Sequence, residues 1–276
     1  VGLGGYLTWT AVAREIVKKN KNPEIKIYPH EGNVNVLLKS PIFFNNPNIF
    51  QGETENAVVF PIQLNKPETN YCKLDTPTYA KHRYDKHIIE QICEFYDIQN
   101  PELKCDLYFT KEEDDKVNKL KQSLNKNFVA IEPHSKLSYT PNRSYPFDKW
   151  QEVVNKINKN VQVVQVGTKN NKVLDGVVDF TGETTFREAA RLIAAAKLFL
   201  SSEGGLVHAS TAVDAKSIVV LTGYQSLRMI EYPTNTYVNI AKHGPCGMKI
   251  ECNNCLKDAE RHDYGEIVRQ VEKELK

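Results

Sequence analysis

No apolar run in this 276-residue chain reaches the roughly 18 residues that a membrane span needs, so the sequence offers no transmembrane helix. Internal repeats and low-complexity tracts are missing as well, which sets solenoids and arrays aside. There is no surplus of either charge: 36 basic side chains face 34 acidic ones, a formal net charge of +2. That balance argues against a surface that coats nucleic acid, though it leaves a local basic cleft open. The N-terminal glycines lack both the spacing of a dinucleotide fingerprint and the Lys-Ser/Thr pair of a P-loop. The chain opens at Val1 rather than a methionine, and this is read as the loss of a first strand, not as a processed signal.

What is present is ordinary for a soluble globular protein, with 41% hydrophobic and 25% charged residues. The length suits two domains. Cys72, Cys93 and Cys105 are scattered, whereas Cys246, Cys252 and Cys255 are clustered. A chain this long builds cores without disulfides, so a reducing, cytoplasmic compartment is expected.

Periodicity is clearest in the second half. Asn127–Pro133, Val161–Gly167, Lys197–Ser202 and Ser217–Gly223 read as buried strands. Between them, Phe147–Lys159, Thr185–Ala196 and Leu206–Ala212 read as helices, the second opened by a Thr185/Glu188 capping box. This alternation predicts a parallel sheet with crossover helices, whose ligands bind beyond the carboxyl ends of the strands. The first half reads similarly: a glycine-rich turn opens a helix over Gly2–Lys19, Glu24–Pro29 and Asn56–Pro61 are strands, and His87–Tyr96 is a helix. The Pro- and Asn-rich stretches Phe43–Phe50 and Lys66–Tyr79 are expected to be loops. Lys111–Asn127 is a polar helix that loses its pattern, which places a domain boundary near Leu124–Lys126, between an N-terminal domain 1–125 and a C-terminal domain 126–276.

Four stretches carry candidate chemistry. Gly2, Gly4 and Gly5 expose backbone where a strand would turn into a helix, which suits an anion or tight packing equally. Gly204 and Gly205 open the helix that carries His208, a geometry suited to a diphosphate; Glu203 before them would accept from a sugar hydroxyl or hold the turn. Arg143 lies in a loop that opens a helix at the same sheet edge and would clamp a phosphate oxygen. His243, Cys246, Cys252 and Cys255 are soft ligands, but C-x5-C-x2-C is not a common structural zinc spacing, so metal-free thiols are expected.

The run Asp179–Gly223 resembles the heptosyltransferase-like glycosyltransferases, family nine of the GT-B enzymes. Those proteins carry an acidic-Thr-Gly-x-x-His motif after a strand. Glu203 stands at the acid, Gly204 at the threonine, Gly205 at the glycine and His208 at the histidine. Asn142–Trp150 resembles their basic-x-Trp-Pro loop, with Arg143, Tyr145 and Pro146 in place. Gly2–Leu7 resembles their Gly-x-Gly-Asp turn, but Gly5 stands where the family carries its aspartate base, leaving Glu31 and His30 as candidate substitutes. The resemblance is good from Phe128 to Cys255.

The resemblance implies an α/β GT-B fold, two facing Rossmann-like domains with parallel sheets. It implies a glycosyltransferase that moves a sugar from a nucleotide diphosphate-sugar, without metal or other cofactor, to a glycan or lipid-linked saccharide acceptor. Arg143, Glu203, Gly204, Gly205 and His208 would hold the donor; Gly2, Gly4 and Gly5 would face the acceptor. The alternatives are an inactive sugar-nucleotide or glycan-binding protein, motivated by Gly5, and a hydrolase or epimerase on the same donor. No nucleic-acid partner is expected, and peripheral membrane contact stays open.

Overall fold

The computed structural model describes residues 2–21, 24–31, 34–35, 40–52, 59–64 and 71–276, with the backbone alone at 31, 34, 35 and 59. The chain opens with helix α1 (Leu3–Asn20), capped by Gly2, whose residues Tyr6 to Ala13 are all buried. A helix apolar on every side belongs inside a core. Next come β1 (Lys26–Glu31), β2 (Val34–Asn35) and β3 (Val59–Gln63), a small sheet in the order β2-β1-β3 with β1 and β3 parallel. A hairpin of β4 (Cys72–Asp75) and β5 (Ala80–His82) follows, then α2 (Ile88–Glu94) and α3 (Lys111–Lys121).

The rest forms one larger layer system. Its elements are β6 (Phe128–Glu132), α4 (Phe147–Ile157), β7 (Gln162–Gln165), β8 (Val178–Asp179), α5 (Phe186–Ile193), β9 (Leu198–Ser202), α6 (Gly205–Ala212), β10 (Ser217–Leu221), α7 (Leu227–Ile230), β11 (Asn235–Asn239), α8 (Asn253–Arg261) and α9 (Gly265–Leu275). The six strands are all parallel, in the order β8-β7-β6-β9-β10-β11. The chain starts at β6, builds outward on one side and then on the other. The crevice between the ends of β6 and β9 is therefore the topological switch point where such sheets bind ligands.

Strand alternation splits the core in two. Val129, Ile131, Leu198, Leu200, Ile218 and Val220 face one side, where Trp150, Val153, Val154 and Ile157 of α4 and Ile267 and Val271 of α9 cover them. Phe128, Ala130, Phe199, Val219 and Leu221 face the other. There they join α5 and α6, and on the far side of those helices the same cluster continues into α1, α2, β1 and β3. Both sheet faces are thus dry, which is why these strands read as unbroken apolar runs rather than alternating ones.

An irregular segment, residues 101–110, runs between the two halves. From α1, Arg14 binds Asp106 (2.6 Å) and the carbonyls of Glu102 and Lys104. From α5, buried Arg187 binds both oxygens of Glu113 (2.6 and 2.8 Å) and the carbonyls of Tyr108 and Pro41. Among the described residues no helix is long and apolar enough to cross a membrane.

Three expectations change. Residues 71–82 form the β4–β5 hairpin and not a loop; its strands pair with each other and with Gly247–Lys249, a contact no local pattern announces. The glycine turn is shorter than expected, since Gly4 and Gly5 already lie in the first turn of α1. Strands β8 and β11 and helices α8 and α9 add to the alternation read from the sequence. Residues 56–58 of the strand expected over Asn56–Pro61 lie outside the described residues.

Candidate functional site

At the switch point, Glu132 ends β6 and Ser202 ends β9. Gly204 follows as the N-cap of α6, in extended backbone that any residue adopts (φ −171°), with no side chain capping the helix. Its Cβ position is open: the nearest atoms, Glu132 Oε2 and Ser202 O, are 3.8 Å away. Gly205 is different. A Cβ there would sit 3.2 Å from the Phe186 ring and 3.7 Å from the Gly4 nitrogen. Gly4 in turn lies against the Gly205 backbone and the His208 ring.

The N-termini of α1 and α6 therefore meet at Gly4 and Gly205. Each presents first-turn amides without a capping side chain, and each carries the positive end of a helix dipole. Two such ends side by side form an anion-attracting corner. The glycine sets read as facing acceptor and donor thus touch each other. Gly2 caps α1 with open space around its Cβ, and Gly5 lies in the first turn with its carbonyl accepting from Thr8 Oγ1.

Arg143 comes from a 3-10 turn, Pro141–Arg143, capped by Thr140. Its Nη2 lies 3.0 Å from Glu203 Oε1, and its guanidinium sits over the rings of Tyr139 (4.9 Å) and Tyr224 (4.6 Å). Gln225, with its amide nitrogen toward Glu203 and its oxygen toward Arg143, closes the pair. Burial raises the Glu203 carboxyl above the ordinary range while Arg143 pulls it down. Glu203 therefore holds Arg143 in place, a role beyond the two read for it, accepting from a sugar hydroxyl or holding the turn. Among the described residues Arg143 Nε is buried with no partner, as are the hydroxyls of Ser202, at the end of β9, and Ser226, the N-cap of α7.

Asn142, buried, positions the loop that carries Arg143. Its amide donates to the carbonyls of Met248 and Ile250 (2.8 Å each), its Oδ1 accepts from Cys252 N (2.8 Å), and its own carbonyl accepts from Thr222 (2.6 Å). Behind the aromatic pair, burial first and then Arg143 lower His82 to about 4, so its ring is neutral. The Cys72 thiol, pushed up to about 12 by burial, donates to His82 Nδ1 at 3.0 Å. His82 Nε2–H then donates to Tyr224 at 3.2 Å, and Tyr224 donates to Tyr139 at 3.1 Å. The hairpin of the first half is thereby wired to the arginine of the second.

His208 is half-buried one turn into α6, with Nδ1 on the Tyr232 hydroxyl (2.7 Å). Burial, then the Arg143 charge, lowers it to about 4, so it serves as a neutral polar group and not a cation. The Glu132 carbonyl accepts from Ser201 Oγ (3.1 Å), its carboxylate takes no hydrogen bond from the described residues, and burial pushes that carboxyl up to about 8. Sequence reading missed Glu132, Asn142, Tyr139, Tyr224 and His82. Only Glu132, the last residue of a strand next to the switch point, carried a usable positional signal. Of the two candidate bases, His30 stacks on Tyr28 at the end of β1, and the side chain of Glu31 lies outside the described residues.

In the cysteine loop, the three clustered sulfurs converge within 4.8 Å of one another, whereas His243 turns to Asp258 Oδ2 (3.2 Å). An open depression of about 760 Å³ lies at the amino ends of β6–β8, near Asn127, Gln162 and Val178. It is at the wrong edge of the sheet for a switch-point ligand and brings together no groups suited to catalysis.

Residues 75–259, about two thirds of the chain, match the model of glycosyltransferase family 9 (heptosyltransferase). No curated protein matches the chain significantly. Among solved structures, the Escherichia coli ADP-heptose lipopolysaccharide heptosyltransferase II superposes with a TM-score of 0.64 at 13% identity, covering 99% of this chain and 96% of that one. A family 9 glycosyl transferase from Veillonella parvula gives 0.66 at 9% identity, covering 100% and 95%. The dodecameric iron-containing heptosyltransferase TibC of enterotoxigenic E. coli, in complex with ADP-D-beta-D-heptose, gives 0.67 at 14% identity, covering 99% and 74%. These similarities establish the GT-B α/β fold.

Proposed function

The chain belongs to glycosyltransferase family 9, and from that premise we propose that it moves a sugar from a nucleotide diphosphate-sugar to a hydroxyl acceptor. The observation that carries the reading is the meeting of the α1 and α6 N-termini at Gly4 and Gly205, at the sheet edge that carries Arg143. The amides and Arg143 take the diphosphate. As the acceptor oxygen bonds to the anomeric carbon, the bond to the diphosphate breaks and its electron pair stays on the departing phosphate oxygen. Fixed dipoles aimed at that oxygen stabilise the developing charge without reorganising. No cofactor is proposed for the transfer: two helix ends and an arginine supply positive charge for the departing diphosphate. The acceptor proton needs a base, and Gly5 offers none. Glu132, whose carboxyl titrates near the operating pH, joins His30 and Glu31 as a candidate. Six free cysteines fit a reducing, cytoplasmic location.

Thermal melting with nucleoside diphosphates and their sugars tests the donor site. A ligand at a hundred times its dissociation constant adds about 2.7 kcal/mol to stability. ADP-heptose, the ligand in the TibC structure, is the first donor to try. A glycan or lipid-linked saccharide then serves as acceptor. Acceptor-dependent release of the nucleoside diphosphate is expected. Glycine at position 5 motivates a second reading, donor binding without transfer; stabilisation with no release under any acceptor would support it. Release without acceptor would mean a hydrolase. No stabilisation by any nucleoside diphosphate would sink both the transferase and the binding reading.

A further inference from the structure

We propose that Cys246, Cys252 and Cys255 bind one thiolate-seeking divalent metal ion, zinc or ferrous iron, that fastens the loop behind the donor site. The spacing pointed to metal-free thiols; the geometry points the other way. Their three sulfurs lie within 4.8 Å of one another. Tetrahedral bonds of about 2.3 Å place thiolates about 3.8 Å apart, so a single ion fits this triangle with small adjustments. An iron–sulfur cluster takes four cysteines as a rule and spreads them more widely.

The surroundings place an amide donor and a helix end at the sulfurs. Met248 N–H donates to Cys246 Sγ at 3.4 Å. Gly247 makes that turn possible with φ +60°, and a Cβ there would meet Tyr84 Oη at 2.9 Å and Ala80 O at 3.0 Å. Cys252 is the N-cap of the nine-residue helix α8, and Cys255 lies in its first turn, which holds no acidic residue. Helix N-termini stabilise thiolates. Three such charges packed together repel unless a cation joins them. An odd number of thiols is not accounted for by disulfide pairing within the cluster. Among the described residues no fourth His, Cys, Asp or Glu joins the three sulfurs, since His243 is directed at Asp258.

The ion would tie together the segments that shape the donor crevice. Cys246 N–H donates to Gly223 O and Gly247 N–H to Tyr224 O. Cys255 Sγ lies 3.0 Å from where a Gly223 Cβ would be, and Cys252 N–H donates to Asn142. Tyr224 and the Asn142 loop carry the aromatic floor and Arg143. Insofar as the donor reading holds, loss of the ion weakens nucleotide binding without removing a group that touches the nucleotide.

Metal analysis of the full, untagged chain, purified under reducing conditions without chelator, tests the site independently of that reading. Near one ion per chain is expected, and elemental analysis says whether it is zinc or iron. C252S and C255S should lose it, while C93A, in the core of α2, should keep it. Should the serine variants fail to fold, alkylation of the native chain gives the same answer: the three thiols should react only after a strong chelator is added. Cobalt titration of the stripped protein should produce thiolate-to-metal absorption. Trace metal with all three thiols freely alkylated, an intact mass showing a disulfide among them, or an ion retained when all three are alanine would overturn the proposal.

Discussion

A methyl group added at Gly4 would come within 2.9 Å of His208 Cδ2 and 3.2 Å of Gly205 Cα. One of those atoms is backbone, so the helices must part. Gly4→Ala should cost about 1–3 kcal/mol, the usual penalty of overpacking, measurable as a lower denaturation midpoint. At Gly204 the same methyl group meets nothing closer than 3.8 Å and points toward Glu132. Gly204→Ala should therefore leave stability within about 0.5 kcal/mol while weakening nucleoside diphosphate binding in calorimetry; unchanged affinity would place the phosphates elsewhere. Glu132 adds a pH signature. Its carboxyl, raised from 4.5 to about 8, keeps in the folded state a proton that the unfolded chain gives up. The unfolded state then binds fewer protons, so this residue costs stability progressively as pH rises from about 4.5 through about 8. Glu132→Gln, neutral throughout, should raise the melting temperature more near pH 8 than near pH 5. An equal gain at both would mean the carboxyl is not raised.

Helix α5 shows what the sequence reveals about elements. The Thr185 side chain accepts from Glu188 N, and the Glu188 side chain accepts from Thr185 N, closing the capping box read from the chain alone. Thr185→Ala should cost about 1 kcal/mol in chemical denaturation. Strands β6, β7, β9 and β10 were equally legible because burial on both faces leaves an uninterrupted apolar run. Others had no such signal. Strand β8 is only Val178–Asp179, and the hairpin β4–β5 is held by Met248 and Lys249 from far along the chain. The site divides likewise. Gly204, Gly205 and Arg143 sit where strand ends meet helix starts, which local pattern locates. Asn142 and His82 act through partners about a hundred residues away or more, Met248 and Tyr224, and such pairing is written only in the folded chain.

At the scale of the molecule, one apolar cluster runs from α1 and β3 through α5 and α6 to the large sheet. Arg14, through Asp106, and Arg187, through the Tyr108 carbonyl, pin the connecting segment from both sides. The halves should unfold together, in a single calorimetric transition whose van't Hoff and measured enthalpies agree; two resolved transitions would mean that each half holds its own core. The sandwiching of α5 and α6 also governs how the gene can be cut. A fragment carrying the large sheet alone would bare the outer faces of those two helices, where Phe186, Ala189 and Leu206 now lie in the common core. An apolar patch of that kind seeks a partner. Produced alone, such a fragment should self-associate in analytical ultracentrifugation, and supplying the N-terminal piece in trans should return it to solution as a one-to-one complex.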